Sequence, residues 1–184
     1  MNNKSIHIAI IKNDLVELKK CIKNGTDINS KGEYNCTPLH YACQNGNFEI
    51  IEFLVSNLAN INMKNSYSTY YPIFDAITAT NDKNVYDIIK LLLDNGADIN
   101  SIDSFGNTLL HYAVEKENIA LVQLLLTSGC KVNQTKRHDK DTALHYAYFQ
   151  KNKQIISMLI DAGANIHALN LYNKQARNYL ETAI

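Results

Sequence analysis

An all-α repeat solenoid is the fold class that three observations on this 184-residue sequence predict. The phrase Thr37-Pro38-Leu39-His40-Tyr41-Ala42 returns as Thr108-Leu109-Leu110-His111-Tyr112-Ala113 and as Thr142-Ala143-Leu144-His145-Tyr146-Ala147, with a weaker copy at Lys4-Ser5-Ile6-His7-Ile8-Ala9. The 71 residues from Thr37 to Thr108 hold two periods rather than one, and Tyr71-Pro72-Ile73-Phe74-Asp75-Ala76 stands where the missing copy belongs. Measured from Ala to Ala the spacings are 33, 34, 37 and 34, a period of stacked supersecondary units that bury a shared core. A second phrase follows 16 to 20 residues after each Ala, as in Asn24-Gly25-Thr26-Asp27-Ile28-Asn29, Asn95-Gly96-Ala97-Asp98-Ile99-Asn100, Ser128-Gly129-Cys130-Lys131-Val132-Asn133 and Ala162-Gly163-Ala164-Asn165-Ile166-His167. One copy departs, with Leu58 in place of Gly.

Residues 1–30 read as an end repeat. Ile6, Ala9 and Ile10 give one helix its buried stripe and Leu15, Leu18 and Ile22 give the next, while Lys4, Lys12, Asp14, Lys19, Lys20 and Lys23 face water. In residues 31–62 Thr37 is placed to cap a helix through its hydroxyl, with Pro38 in the first turn, where a missing N–H costs nothing. Leu39 and Ala42 turn inward, Gly46-Asn47 breaks the chain, and Phe48, Ile50, Ile51, Leu54 and Val55 form the second helix. Residues 63–100 are irregular. Their leading stretch 63–71 is one residue longer than its counterpart, Phe74 replaces the His, Asp75 replaces the Tyr, and the connection 80–87 carries three extra residues before Ile88, Ile89, Leu91, Leu92 and Leu93. Extra length in a stacked array maps to loops, often on a binding face, although such loops also tolerate drift.

Residues 101–133 are the most regular, with Gly106 in the turn and Val122, Leu124, Leu125 and Leu126 in the second helix. Residues 134–167 open on a finger that is locally basic at Lys131, Lys136, Arg137 and Lys140. Asp139 and Asp141 interrupt that charge, which makes the finger a solvated tip or a contact to an acidic partner rather than a nucleic-acid patch. Residues 168–184 form a partial C-terminal cap in which Ala176, Tyr179, Leu180 and Ala183 share one face. Arg177 stands there where other copies have Leu, and Asn178 where they have His.

The T-P-L-H-x-A phrase together with the Gly-Ala-Asp-Ile-Asn phrase resembles the ankyrin repeat, a β-hairpin loop followed by two antiparallel helices. The resemblance covers almost the whole chain and implies a single ankyrin-repeat domain, 1–184. It implies that the signature His ties neighbouring turns together, and that a partner protein is bound along the concave face by hairpin tips and first helices. Carried onto this chain, that face comprises Glu33, Tyr34, Cys36, Gln44 and Asn45, then Tyr67, Tyr70 and Thr78. It continues through Ser104, Phe105, Asn107, Glu115 and Lys116, then Arg137, His138, Lys140, Asp141, Phe149 and Gln150. Tyr and Phe are the residues that interfaces use as anchors, which singles out Tyr34, Phe105 and Phe149. Tyr41, Tyr112 and Tyr146 serve equally well as contacts or as a packing ladder between repeats. Asn100, after Leu93 and Asp98-Ile99, resembles the hairpin asparagines that an asparaginyl hydroxylase modifies in animals.

The expected function is a non-enzymatic protein–protein interaction module, with no cofactor, metal, nucleic acid, membrane or small-molecule substrate. Formal net charge is zero with 46% apolar and 20% charged residues, a folded composition without the basic surplus that polyanion binders carry. The phosphate-loop, zincin and esterase patterns are absent, and His7, His40, His111 and His145 recur at the repeat period, which gives them one structural role four times over. The four cysteines have no C-x-x-C and no repeated pair spacing, as expected of reduced thiols in cytoplasm or nucleus. No signal peptide or spanning helix fits residues 1–18. The resemblance leaves two alternatives open. One is a viral or bacterial effector, working in host cytoplasm, that mimics or blocks a host regulator. The other is a structural fragment of a larger ankyrin scaffold.

Overall fold

The structure, a computed structural model, describes residues 4–66, 70–79 and 84–180. Expectations that rest on Tyr67, Ser68 and Thr69, on residues 80–83 of the lengthened connection and on Ala183 lie outside the described residues, as do those on the side chains of Lys4, Ser5 and Leu180. The chain divides into two compact units, Met1–Asp98 and Ile99–Ile184. The first holds helices α1 (Lys4–Ile11), α2 (Leu15–Lys23), α3 (Pro38–Asn45), α4 (Phe48–Ser56), α5 (Pro72–Thr78) and α6 (Val85–Asp94). The second holds α7 (Leu109–Glu115), α8 (Ile119–Thr127), α9 (Ala143–Phe149), α10 (Lys153–Asp161) and a 3-10 helix, Ala176–Leu180.

Each helix pair turns where its sequence tells it to. In four of the five described pairs the second helix opens on a side-chain oxygen that accepts the N–H of its first turn, Asp14 from Glu17, Asn47 from Ile50, Asn118 from Leu121 and Asn152 from Ile155, whereas Asn84 before α6 makes no such side-chain bond. Asn47, expected only to break the chain with Gly46, is therefore an N-cap. Within the first unit α3 packs between α1 and α5 while α4 packs on α6. Within the second, α9 packs between α7 and the 3-10 helix while α8 packs on α10. Ala9, Ala42 and Ala76 in the first unit, and Ala113 and Ala147 in the second, are all buried, as close approach of paired helices requires. Between them sit Leu39, Ile50, Ile51, Leu54, Ile88, Ile89 and Leu92, and in the second unit Leu110, Leu121, Val122, Leu125, Leu144, Ile155 and Leu159, each worth about 2 kcal/mol once withdrawn from water. In α2 the buried pair is Leu18 and Cys21, three residues apart, and Leu15 and Ile22 are half-buried flanks.

The hairpin loops are closed by single cross-loop backbone bonds. Gly32 N–H donates to Cys36 O (2.8 Å), Asn65 to Tyr70 (3.0 Å), Asp103 to Asn107 (3.0 Å), Lys136 to Asp141 (3.0 Å) and Asn170 to Lys174 (3.1 Å). One bond does not make a ladder, and among the described residues the only β pairing is the isolated bridge Leu169–Gln175.

Leu58 exposes the cost of the one departure from the second phrase. The glycines at 25, 96, 129 and 163 take φ between 81 and 90°, and Leu58 is held in the same left-handed region at φ 65° with 86% of its surface exposed. A side chain there is strained and covers nothing. Leu58→Gly is expected to raise the stability of the first unit by about 1 kcal/mol, read as a higher urea midpoint at unchanged slope.

Candidate protein-interaction surface

The signature histidines hold the frame on which this surface is built. The Thr37 N–H donates to His40 Nδ1 at 3.0 Å, Thr108 to His111 at 3.1 Å and Thr142 to His145 at 3.2 Å, with each Thr hydroxyl 2.8 or 2.9 Å from the same nitrogen. Nδ1 is thus an acceptor and the proton sits on Nε2. Nε2 donates to a carbonyl about one repeat ahead: His40 to Tyr70 (3.2 Å), His111 to Asp141 (3.3 Å) and His145 to Lys174 (3.1 Å), while His7 Nε2 faces Ser30 O at 3.1 Å. Burial drives the His40 imidazole below its ordinary range and takes His111 down to about 4. Both are neutral struts. The expected Thr cap is therefore shared, because the imidazole satisfies the Thr backbone N–H and the hydroxyl points to the ring as well as to the helix. In the C-terminal unit Asn178 Oδ1 takes over from Nδ1, accepting the Gln175 N–H at 2.8 Å.

A second ladder, missed by the sequence reading, runs through the asparagines that close the second phrase. Asn29 Oδ1 accepts from Asn60 N–H (2.7 Å) and Asn62 Oδ1 from Asp98 N–H (3.1 Å) in the first unit. Asn100 Oδ1 accepts from Lys131 N–H (2.8 Å) and Asn133 Oδ1 from Asn165 N–H (2.7 Å) in the second. Their regular spacing was the available signal. Asn100, the expected hydroxylation site, is half-buried in this ladder.

On this frame the hairpin tips are bonded to one another. Ser66 N–H donates to Tyr34 O (2.7 Å), Arg137 N–H to Phe105 O (2.9 Å) and Leu171 N–H to Asp139 O (2.7 Å). Gly106, at φ 80°, is required there, since a Cβ would lie 2.8 Å from Arg137 Cγ and 2.9 Å from its nitrogen. At the first tip, a 3-10 turn over Glu33–Asn35, Tyr34 and Asn35 are both left-handed (φ 54° and 57°). That conformation costs a bulky L-residue about 1–2 kcal/mol and holds the Tyr34 ring 62% exposed.

The predicted residues divide by what they touch. Glu33, Tyr34 and Gln44 in the first unit, and Phe105, Glu115, Lys116, Arg137, His138, Lys140 and Phe149 in the second, are exposed. Three others are bound into the frame: Asn45 donates to Ile10 O (3.0 Å), Asn107 to Asp103 Oδ2 (2.8 Å) and Gln150 to Glu115 O (2.8 Å). Tyr70 is half-buried with its ring 5.6 Å from Phe74. Thr78 is exposed and donates to Phe74 O (2.7 Å), Cys36 is buried, and Ser104 and Asp141 are half-buried. The basic finger is less solvated than its composition implies, because Lys136 folds back so that Nζ meets the Tyr146 hydroxyl and lies 4.5 Å from the ring centroid, leaving Arg137 and Lys140 outside.

The repeated tyrosines form a packing ladder. The His7 and Tyr41 rings meet edge to face at 5.3 Å, His111 and Tyr146 at 6.4 Å, and His145 and Tyr179 at 6.3 Å. Tyr112 instead donates its hydroxyl to Asp103 Oδ2 at 2.7 Å. In the first unit the rung after His40 carries Asp75 instead of a ring. A cavity of about 380 Å³ lies there, lined by Glu33, Tyr34, Tyr41, Gln44, Tyr70 and Asp75 among others. A wider depression of about 810 Å³ in the same unit is lined by the turns between paired helices, including Asn47, Asn84, Asp87 and Lys90, and involves none of the tip aromatics. Among the described residues no group of three or more His, Cys, Asp and Glu side chains is placed to hold a metal ion, and no helix is long and apolar enough to cross a membrane.

Comparison with known proteins agrees with this geometry. A family profile described as ankyrin repeats in three copies matches residues 73–170, and a second, described as ankyrin repeats in many copies, matches residues 6–55. An ankyrin repeat protein of Acanthamoeba polyphaga mimivirus is 32% identical over 127 residues, which is 69% of this chain and 16% of that protein. One from fowlpox virus is 33% identical over 122 residues, covering 66% of this chain and 82% of the viral protein. A mouse serine/threonine-protein kinase is 38% identical over 103 residues, 54% of this chain and only 12% of the kinase.

Proposed function

Since the chain belongs to the ankyrin repeat family, generally a non-enzymatic interaction fold, we propose that it binds a partner protein through its hairpin tips and the first helix of each repeat. The observation that carries this is the display of aromatic side chains on bonded tips and at the end of a first helix: Tyr34 is 62% exposed in a strained backbone, Phe105 is 51% exposed on its tip, and Phe149, the last residue of α9, is 67% exposed. Large exposed rings on a rigid frame lose little entropy on docking, which is why aromatics dominate interface hot spots. Glu33 and Gln44 beside Tyr34, Arg137 and His138 beside Phe105, and exposed Lys140 on the same finger supply the polar rim.

Affinity capture with the full chain is expected to retain one partner that a variant with Ala at Tyr34, Phe105 and Phe149 loses, at an unchanged unfolding midpoint. Retention by the variant, or loss that merely follows lower stability, would sink the proposal. A second reading, an effector that occupies a host regulator in host cytoplasm, is supported by the viral relatives. It is favoured if capture succeeds from host lysate and fails from lysate of the source organism.

A further inference from the structure

The vacated rung at Asp75 is the most unusual chemistry in the molecule. Asp75 is 95% buried, yet only one of its carboxylate oxygens is engaged: Gln44 Nε2 donates to Oδ1 at 2.9 Å, whereas Oδ2 has no hydrogen-bond partner. A buried carboxylate oxygen without a donor is costly, and native structures keep such a group where something else completes it. The surroundings say what that something is. The cavity has a second carboxylate, Glu33, at its rim, three tyrosine rings from Tyr34, Tyr41 and Tyr70 in its walls, and neither Lys nor Arg in its lining. An acidic floor that an entering cation ionises, under aromatic walls, is the arrangement that attracts an organic cation by charge and by ring quadrupole together. Corresponding rungs place an aromatic ring against the preceding His, so the space exists because Asp75 is small where Tyr41 and Tyr146 are large.

We infer that this notch receives a basic side chain, lysine or arginine, of the bound partner, with Asp75 Oδ2 as its acceptor and the tyrosines as its collar. The inference rests on the protein-binding reading above and names the chemistry of the contact. The carboxyl torsion of an Asp is broad, so turning Oδ2 toward the cavity needs no backbone movement, and exposed Gln44 can follow it.

The test uses the isotopically labelled full chain and four probes at matched ionic strength: n-butylammonium, n-butylguanidinium, n-butanol and sodium chloride. The two cations are expected to shift the Asp75 carboxyl carbon and the Tyr34 and Gln44 amides saturably, in about the millimolar range for one solvated charge contact. Their relative affinity separates a lysine from an arginine occupant. Asp75→Asn should weaken both about tenfold while leaving the rest of the spectrum in place, and Glu33→Gln should weaken them less. Equal shifts with n-butanol would make the notch a site for an uncharged donor and overturn the proposal, as would no saturable shift up to about 100 mM. Butylammonium binding without any captured partner would defeat the protein-binding reading and keep the notch. A captured partner indifferent to Asp75→Asn, with no butylammonium shift, would do the reverse.

Discussion

His111→Ala is expected to destabilise the second unit by about 4 kcal/mol. It leaves the Thr108 N–H and the Asp141 carbonyl without partners, at about 1–3 kcal/mol each, and opens a cavity where a side chain only 3% exposed had been. His111→Asn should recover about half of this. Asn178 already shows an amide oxygen accepting the corresponding N–H, from Gln175 at 2.8 Å, but an asparagine is too short to reach the next tip. The pair of variants separates the helix cap from the cross-repeat strut. Acid adds a second signature. Burial holds His111 neutral with a folded value of about 4 against an ordinary 6.5, so the unfolded chain takes up a proton first as pH falls. Stability from this group is intact above pH 6.5 and declines by about 3 kcal/mol on the way to pH 4. Urea unfolding of wild type and both variants across that window reads the effect. Wild type and His111→Asn losing stability in parallel would remove His111 as the source.

The repeats were legible because each strut joins a side chain to backbone about 30 residues ahead, so the same letter must recur wherever the joint recurs. His40, His111 and His145 advertise one ladder in this way, and Asn29, Asn62, Asn100 and Asn133 advertise the other, although their role was not read from their spacing. The paired helices followed from the same periodicity. What surrounds the joints was harder to read. Lys136 belongs to a string of charges that composition places in solvent, but its neighbour across the loop, Tyr146, offers both a ring and a hydroxyl, and the chain folds it down. Asn45, Asn107 and Gln150 look like contact residues by position and are frame residues by bonding, which depends on carbonyls at Ile10 and Glu115 and a carboxylate at Asp103 that no local pattern reveals. The exposure of Tyr34, Phe105 and Phe149 was legible because a large ring on a turn or at a helix end has no core to enter.

Asp75 shows the same limit most sharply. The sequence says that a Tyr is missing, and only the packed structure says that the space was not refilled and that an acid faces it half-bonded. Its burial, with the single Gln44 bond opposing, raises the carboxyl from 3.8 to about 7. The folded chain therefore holds a proton that the unfolded chain has already released over the interval between those values. Stability is unaffected below about pH 4, falls as pH rises toward 7 and is about 4 kcal/mol lower above it, the opposite slope to that of His40 and His111. In the first unit the two trends overlap, because His40 loses stability on acidification while Asp75 regains it. Asp75→Asn removes one of them. The variant also buries an amide N–H, a cost that does not change with pH. Its stability relative to wild type is thus expected to improve by about 4 kcal/mol between pH 4 and pH 8, and its own profile should keep only the acid-side decline. Urea midpoints at the two pH values check this, and a constant offset between the curves would mean that Asp75 is ionised in the folded chain throughout. In that case the notch would already hold a full negative charge at neutral pH, and cation affinity there would not change between pH 6 and pH 8.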